Sequence, residues 1–150
     1  MTVPIFESDM TLKVKRVFQA PRERVFAAWT EPDLLKRWLG GGTIPDPVAE
    51  VDLRVGGQYR VQLKAQDSPI FWVKGTYQEI TPPERLVYTW QFEGTEMDTG
   101  ETLVTVDFID LGKSTEVVML HERFPSNELR NLHGEGWTQS FECLAEFVDG

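Results

Sequence analysis

The feature of this chain that most restricts its fold is a long alternation of apolar and polar residues, which begins at Ala49 and ends at His121. A period of two places every second side chain on the same face of a β-strand, so the alternation predicts strands with one buried and one solvated face. Turns such as Gly56-Gly57, Thr81-Pro82-Pro83-Glu84 and Leu111-Gly112-Lys113 divide it. We therefore predict six strands in an antiparallel meander, within 49–53, 59–63, 71–80, 86–92, 104–108 and 117–121.

Two short helices are predicted before this meander. Residues 11–19 alternate as a first strand, and Ala20-Pro21 then places a proline where the first turn of a helix tolerates it. Apolar residues follow at helical spacing. A second proline, in Glu31-Pro32, interrupts this helix and starts the next one, which carries Leu35 and Trp38 on one side.

A single long helix closes the chain. Ser126 or Asn127 is placed to cap it, and it is predicted to run to about Val148. Its apolar stripe, which must be buried against the sheet, consists of Trp137, Phe141, Leu144 and Val148. Strands in one run with helices outside it predict the α+β class. No linker, repeat or low-complexity stretch divides the chain, so one domain over residues 1–150 is expected.

The charge of the chain disfavours some classes of partner. It carries 24 Asp and Glu against 15 Lys and Arg, for a formal net charge of −9. Such a chain repels phosphate backbones and anionic lipid surfaces, so nucleic acid is not expected as a partner. The sequence has no basic leader followed by an apolar run, and no apolar stretch of membrane-spanning length. We expect a cytoplasmic protein that does not insert into membranes.

One stretch of sequence resembles a known family. Residues 75–90, which read GTYQEITPPERLVYTW, are similar to a specific block of the activator-of-Hsp90-ATPase homologues, in the START-like (SRPBCC, polyketide cyclase-like) superfamily. Further similarities occur in the family's order at Ala20-Pro21, residues 52–57 and His121-Glu122, so the chain resembles a bacterial stand-alone member over nearly its whole length. One departure is Arg123, at a position where relatives often have a glycine, which concerns the local turn.

The resemblance implies the helix-grip fold and a cavity. In this fold a curved antiparallel sheet, expected here to have about six to seven strands, wraps round the long C-terminal helix. Ligand cavities are mostly apolar with a few directed polar groups, although large rings are equally typical of an ordinary core. The candidate ligand-binding residues are Trp38, Trp72, Tyr88, Trp90, Phe108, Met119, His121, Trp137 and Phe141.

His121 is the leading candidate for acid–base chemistry, ahead of His133 on the long helix. It shares the strand phase of Val117 and Met119, which directs it to the interior. Four roles are open for it. It could orient a ligand or act as a general base, or it could be a neutral residue bonded to the backbone. If it lies at the end of the sheet, it would instead be in water. No metal or other cofactor is expected. His121-Glu122 lacks the second histidine of a zinc motif, and the acidic residues in 93–101 lack calcium-loop spacing.

Three functions remain open at this point. The leading one is binding of a small hydrophobic or aromatic molecule, for carriage, sequestration or sensing, with Gly40-Gly41-Gly42 as the joint of a gate over the cavity. The second is a cyclase-like or hydrolase-like enzyme that uses His121 with Tyr88. The third, implied by the resemblance alone, is regulation of an Hsp90-type chaperone ATPase, with a role in the stress response. A homodimer formed through an exposed sheet edge is a further alternative.

Overall fold

Eight strands form one curved antiparallel sheet in the residues that the computed structural model describes, namely 3–8, 10–41, 44–64, 69–93 and 100–149. Only the backbone is described for residues 3–8. The strands are β1 Val3–Ser8, β2 Thr11–Phe18, β3 Ala49–Val51, β4 Gln58–Leu63, β5 Phe71–Thr81, β6 Arg85–Glu93, β7 Thr102–Asp110 and β8 Thr115–Glu122. Their order across the sheet is β1-β2-β8-β7-β6-β5-β4-β3.

The predicted α+β helix-grip class is confirmed, and β1 is one strand more than the sequence predicted. β1 pairs with β2 at one edge of the sheet, and the register of this pair shifts between Ile5 and Ser8. Pro4 has no backbone N–H to donate, and an edge strand tolerates this because only one of its sides is paired. An irregular edge strand with a proline has no clear alternation, and for this reason the local pattern did not reveal it.

The pairing of β2 with β8 brings the first predicted strand against the last. Leu12 lies opposite His121, Val104 pairs with His121 from the other side, and Tyr88 pairs with Val104. Tyr77 on β5 continues this row opposite Tyr88. All five side chains are buried. The register therefore places His121 and Tyr88 on the same inner face, with Val104 between them.

The two short helices are α1 Arg22–Thr30 and α2 Pro32–Trp38. They meet at Glu31, whose backbone N–H donates to the Ala27 carbonyl at 2.9 Å and ends the first helix. Pro32 cannot donate a backbone hydrogen bond, so it begins a new helix instead of extending the old one. The predicted break between two helices is confirmed.

The long helix is α3 Asn127–Val148. The Ser126 side chain caps it by accepting a hydrogen bond from the Leu129 backbone N–H at 3.2 Å. The predicted stripe is buried, and Trp137, Phe141, Leu144 and Val148 are each at most 3 % exposed. The helix packs against the inner side of the sheet and, together with α1 and α2, encloses the core.

Candidate ligand-binding site

A group of rings and two leucines leaves a gap between the short helices and the inner face of β4, β5 and β6. We call this gap the aromatic pocket, and its lining residues are Trp29, Leu35, Leu39, Tyr59, Tyr77, Tyr88 and Trp90. The space open to the centre of a water molecule inside it is about 10 Å³. This is roughly the room that one water molecule needs. The pocket is therefore too small to hold a ligand in this conformation of the protein.

Hydrogen bonds hold two of the tyrosines in different ways. The Tyr59 hydroxyl donates to the Thr89 carbonyl at 2.6 Å, so its proton is committed to the backbone. The Tyr88 oxygen accepts from the Trp29 indole at 3.2 Å, and no residue in the described part of the chain accepts the Tyr88 proton. Burial raises the pKa of Tyr88, which keeps the hydroxyl neutral at physiological pH. Tyr88 is therefore a free donor in the wall of the aromatic pocket.

The cover of the aromatic pocket is the segment from Leu35 to Gly41. Trp38 anchors it, because the indole N–H donates to the Ala28 carbonyl at 2.9 Å and the side chain is fully buried. Beyond the helix, the Gly40 backbone N–H donates to the Ser140 hydroxyl at 3.0 Å. Gly40 and Gly41 have φ values of +86° and +72°, the left-handed region that glycine favours. The third glycine of the predicted joint, Gly42, lies outside the described residues.

His121 is fully buried and both of its ring nitrogens are occupied. The Trp137 indole donates to Nδ1 at 3.1 Å. An indole nitrogen only donates, so Nδ1 is unprotonated and Nε2 carries the hydrogen. Nε2 then donates to the Thr102 hydroxyl at 2.8 Å, and this hydroxyl donates to the Trp90 carbonyl at 2.7 Å. The sequence left open a group that orients a ligand, a general base, a neutral residue bonded to the backbone and a residue in water. The structure shows a buried, neutral histidine whose partners are two side chains and not the backbone.

Burial also keeps both histidines uncharged. It lowers the pKa of His121 well below its ordinary value, and the nearby His133 lowers it further. Burial lowers the pKa of His133 to about 4, against a smaller opposite effect of its bond to the Leu129 carbonyl. At neutral pH this end of the core therefore carries two neutral imidazoles, whose ring centroids lie 5.3 Å apart.

The candidate residues of the sequence fall into four places. Tyr88 and Trp90 line the aromatic pocket. Trp38, Phe108 and Phe141 lie behind it and pack round Trp29, with ring centroids 4.5, 5.4 and 5.6 Å from that of Trp29.

The other candidates lie away from the pocket. Met119, His121 and Trp137 belong to the neighbouring core under α3. Trp72 is on the opposite face of the sheet, where the Arg60 guanidinium lies 4.0 Å from the centroid of its ring. Of the nine candidates, therefore, only Tyr88 and Trp90 line the aromatic pocket, and Trp72 lies on the other face of the sheet.

Five lining residues were missing from the predicted site. Tyr59 and Tyr77 are in phase with the buried residues of their strands, so their alternation with polar neighbours was a usable signal. Trp29, Leu35 and Leu39 come from the helices and their connections, and helical spacing does not tell which part of a distant sheet a helix covers.

Comparison with known proteins decides the family. The sequence model of the family described as "Activator of Hsp90 ATPase homolog 1-like protein" matches residues 19–149. The chain belongs to this family. A comparison with curated proteins finds no match.

Solved structures of similar proteins agree with this membership. A Chromobacterium violaceum protein has 30 % identity and a TM-score of 0.79, with 94 % of this chain and 98 % of that chain covered. An HSP90 activator from Plasmodium falciparum has 28 % identity and a TM-score of 0.68, with 87 % of this chain and 89 % of that chain covered. The protein Ms6760 from Mycobacterium smegmatis has 17 % identity and a TM-score of 0.79, with 99 % and 95 % covered, and it supports the fold alone.

The sequence block that resembled the activator-homologue family builds one wall of the pocket. Residues 75–90 supply most of β5 and β6, with Tyr77 and Tyr88 opposite each other. A Cβ atom at Gly75 would overlap the Thr89 carbonyl oxygen and lie 2.6 Å from the Tyr59 ring. Glycine at this position is therefore what allows Tyr59 to lie across β5 and bond to Thr89.

Arg123, the residue that departs from the pattern of the family, has an unusual backbone conformation. Arg123 follows β8 with a φ of +71°, which is unusual for a residue with a side chain. The turn it makes places Phe124 against the ring of His121, at a centroid distance of 4.3 Å. The turn thus keeps the form that a glycine would adopt, at a steric cost to the arginine.

Within 10–41, 44–64, 69–93 and 100–149, no group of three or more His, Cys, Asp and Glu side chains is arranged to hold a metal ion. Residues 94–99, which include most of the acidic turn, lie outside the described residues. No helix in the described part of the chain is long and apolar enough to cross a membrane.

Proposed function

We propose that this protein binds a small, flat, largely apolar molecule in the aromatic pocket. The observation that carries this proposal is the Tyr88 hydroxyl, a buried donor with no acceptor among the described residues, in a wall made mainly of rings. Buried polar groups are rarely left unused in ordinary cores. A polar atom of a guest molecule would accept the Tyr88 proton, while Trp29, Tyr59 and Tyr77 contact its apolar body.

Entry of such a molecule requires the cover to move. The pocket has room for about one water molecule, far less than a ligand of several rings needs. Leu35 and Leu39 are the two non-aromatic lining residues, and both belong to the cover. The cover ends in Gly40 and Gly41, which permit large backbone rotations. We therefore assign the opening to a displacement of α2 and its exit, hinged at these glycines.

Native mass spectrometry of freshly purified protein tests the proposal directly. A ligand carried from the cell gives an additional mass that disappears on denaturation. Thermal shift and tryptophan fluorescence against a panel of lipids and aromatic compounds then identify the class, since Trp29 and Trp90 line the pocket. A single clean mass together with no thermal shift across the panel would show the proposal to be wrong.

The gate has its own test in the rate of ligand association. Gly41→Ala restricts the hinge, and its new Cβ lies 3.4 Å from the Gln139 Cβ, which is an ordinary contact. The matched control is Gly112→Ala, which also has a positive φ, of +92°, and no neighbour within 4 Å. The association rate is expected to fall in Gly41→Ala alone. Equal rates in the two variants would contradict the gate.

Regulation of an Hsp90-type chaperone is the second candidate function. Family membership favours it, as does the similarity to the HSP90 activator from Plasmodium falciparum. The test is co-purification of this protein with an Hsp90-type chaperone and a measurement of ATP turnover with and without it. A rise in turnover that persists when the aromatic pocket is blocked by a bound ligand would place the contact on the outer surface.

The enzymatic alternative has less support. Val104 separates His121 from Tyr88 in the register of the sheet. Both nitrogens of His121 are occupied by Trp137 and Thr102, and burial disfavours its protonated form. A cytoplasmic location and self-association through β1 or β3, the two edge strands, stay predictions.

A further inference from the structure

Two polar atoms in the core next to the aromatic pocket have no hydrogen-bond partner in the described part of the chain. They are Nε1 of Trp90 and Nε2 of His133. Each of these residues is 4 % exposed, so bulk solvent does not satisfy either atom. Trp90 lines the aromatic pocket, and His133 lies on α3 behind it.

The two atoms have complementary roles. An indole nitrogen is a donor and never an acceptor. The His133 Nδ1 atom lies 2.9 Å from the Leu129 carbonyl, which only accepts, so Nδ1 carries the hydrogen. Nε2 of His133 is then an unprotonated acceptor. The core thus contains one unused donor and one unused acceptor in adjacent rings.

Apart from His133, no ring in contact with Trp90 offers a free acceptor for the indole hydrogen. Nδ1 of His121 already accepts from Trp137, and Nε2 of His121 donates to Thr102. The neighbouring rings of Phe92 and Phe124 have no polar atom. Among the rings in contact with Trp90, His133 Nε2 is therefore the unused acceptor.

The two nitrogens belong to neighbouring rings but make no direct bond to each other, so an oxygen atom between them is the simplest common partner. The ring centroids of Trp90 and His133 are 6.4 Å apart and their planes make an angle of 71°. An oxygen atom at hydrogen-bond distance from each nitrogen spans up to about 6 Å between them. Phe92, stacked on His133 at 4.7 Å, and His121, at 5.3 Å, surround the same region.

We propose that Trp90 Nε1 and His133 Nε2 together bind one hydroxyl group. Its oxygen accepts a hydrogen bond from the indole and its proton is donated to the imidazole. A carbonyl or ether oxygen satisfies only the indole, and an ammonium or a second N–H satisfies only the imidazole, so the pair selects O–H. The hydroxyl belongs either to a buried water molecule or to the molecule bound in the aromatic pocket. The second source rests on the proposed function, and the first does not.

The first experiment uses the protein alone, labelled with nitrogen-15 in tryptophan and histidine. The Trp90 indole resonance is assigned by its loss in Trp90→Phe. A water source predicts a cross-relaxation peak between this indole hydrogen and water, and a downfield shift of the indole resonance that is lost in His133→Phe. The phenylalanine keeps a ring against Phe92 but removes the acceptor.

The second experiment uses two probe molecules that differ by one group, 2-naphthol and 2-methylnaphthalene. A ligand source predicts that wild-type protein binds 2-naphthol about tenfold more tightly than 2-methylnaphthalene. This preference is expected to fall below about twofold in His133→Phe, with the affinity for 2-methylnaphthalene retained. Trp90→Phe removes the donor and serves as the second variant if His133→Phe does not fold. The control is Tyr88→Phe, which removes a different polar group from the pocket.

Each outcome decides the inference. A water peak at the Trp90 indole supports it with water as the source, and a 2-naphthol preference lost in His133→Phe supports it with the ligand as the source. Absence of both overturns it. A preference that disappears in Tyr88→Phe but persists in His133→Phe, without a water peak, overturns it while leaving the proposed function intact. If neither probe binds, the proposed function has failed for this class of molecule, and the water peak alone decides the inference.

Discussion

The indole N–H of Trp137 donates to Nδ1 of His121 across 3.1 Å and sets the tautomer of that histidine. The link runs from α3 to β8, and it continues through Thr102 to the backbone of β6. A side-chain network of this kind fastens the long helix to the sheet at one point, in addition to the apolar stripe. Its first consequence is a prediction about stability.

Replacing Trp137 by phenylalanine should lower the free energy of unfolding by about 2–4 kcal/mol, because His121 Nδ1 is left unsatisfied and part of the ring volume is lost. The matched control is Trp72→Phe on the outer face of the sheet, where the loss should stay below about 1 kcal/mol. Urea unfolding at pH 7 measures both. Similar losses in the two variants would mean that the bond to His121 contributes little.

The two histidines predict a loss of stability in acid. An ordinary histidine has a pKa of 6.5, and His133 has a pKa of about 4 in the folded protein. Below pH 6.5 the unfolded chain therefore binds more protons than the folded one, so the free energy of unfolding falls as the pH is lowered toward 4. The stabilising effect is complete above pH 6.5, and for His133 alone about 3 kcal/mol is lost by pH 4.

Urea unfolding at pH 7, 5.5 and 4.5 checks this dependence. His133→Phe should show a shallower decline than wild type, whatever its stability at pH 7, since one titrating group has been removed. His121 lies next to it with a lowered pKa of its own and will keep part of the slope. Parallel curves for wild type and the variant would contradict the assigned role of His133.

The two buried tyrosines should respond differently to removal of the hydroxyl. Tyr88→Phe removes the free donor of the aromatic pocket, so affinity for a bound polar aromatic ligand should fall about tenfold. Tyr59→Phe removes a bond to the Thr89 carbonyl, so it should cost about 1 kcal/mol of stability and leave affinity nearly unchanged. Isothermal titration with the ligand found in the panel gives both affinities. If Tyr59→Phe lowered the affinity more than Tyr88→Phe, the polar group of the ligand would lie beside Tyr59.

Two glycine substitutions should have opposite effects. Gly75→Ala places a Cβ atom against the Thr89 carbonyl, and we expect a loss of more than about 3 kcal/mol or failure to fold. Gly136→Ala, on the exposed side of α3 with no neighbour within 4 Å, should stabilise the protein by about 0.5–1 kcal/mol through helix propensity. Thermal unfolding measures both. A stable Gly75→Ala variant would show that β5 and β6 lie farther apart there.

Arg123→Gly should stabilise the protein, although it removes a side chain. The arginine has a φ of +71°, and the left-handed conformation costs a non-glycine residue about 1 kcal/mol or more. We expect a gain of about 1 kcal/mol in the free energy of unfolding. Arg123→Ala is the control, because it removes the same side chain and keeps the backbone cost. A gain in both variants would assign the effect to charge.

The inward phase of the strands could be predicted from the sequence because it depends on local alternation alone. Val61, Val73, Val104 and Met119 are all buried as their strand patterns require. The candidate residues Tyr88 and Trp90 follow from the same rule. Trp72 was predicted to face inward, but strict alternation puts it on the outer face, because its neighbours Phe71 and Val73 are the buried residues of this strand.

The size of the aromatic pocket and the partners of its polar groups could not be predicted in this way. Trp29 meets Tyr88 although 59 residues separate them, and Ser140 meets Gly40 across 100 residues. Such contacts depend on strand register and on how closely α2 approaches the sheet. A shift of one residue in register would exchange the two faces of a strand.

The sequence by itself determined the element order from β2 onward, the α+β class, the buried stripe of α3 and most of the residues that face inward, because period and turn chemistry act over a few neighbouring residues. The tertiary structure alone decided that Tyr88 keeps a free proton, that His121 is neutral and fully bonded, and that Trp90 and His133 are left with complementary polar atoms. The physical reason is that a hydrogen bond depends on distances of a few tenths of an ångström between segments distant in the chain, and packing of the whole core sets those distances.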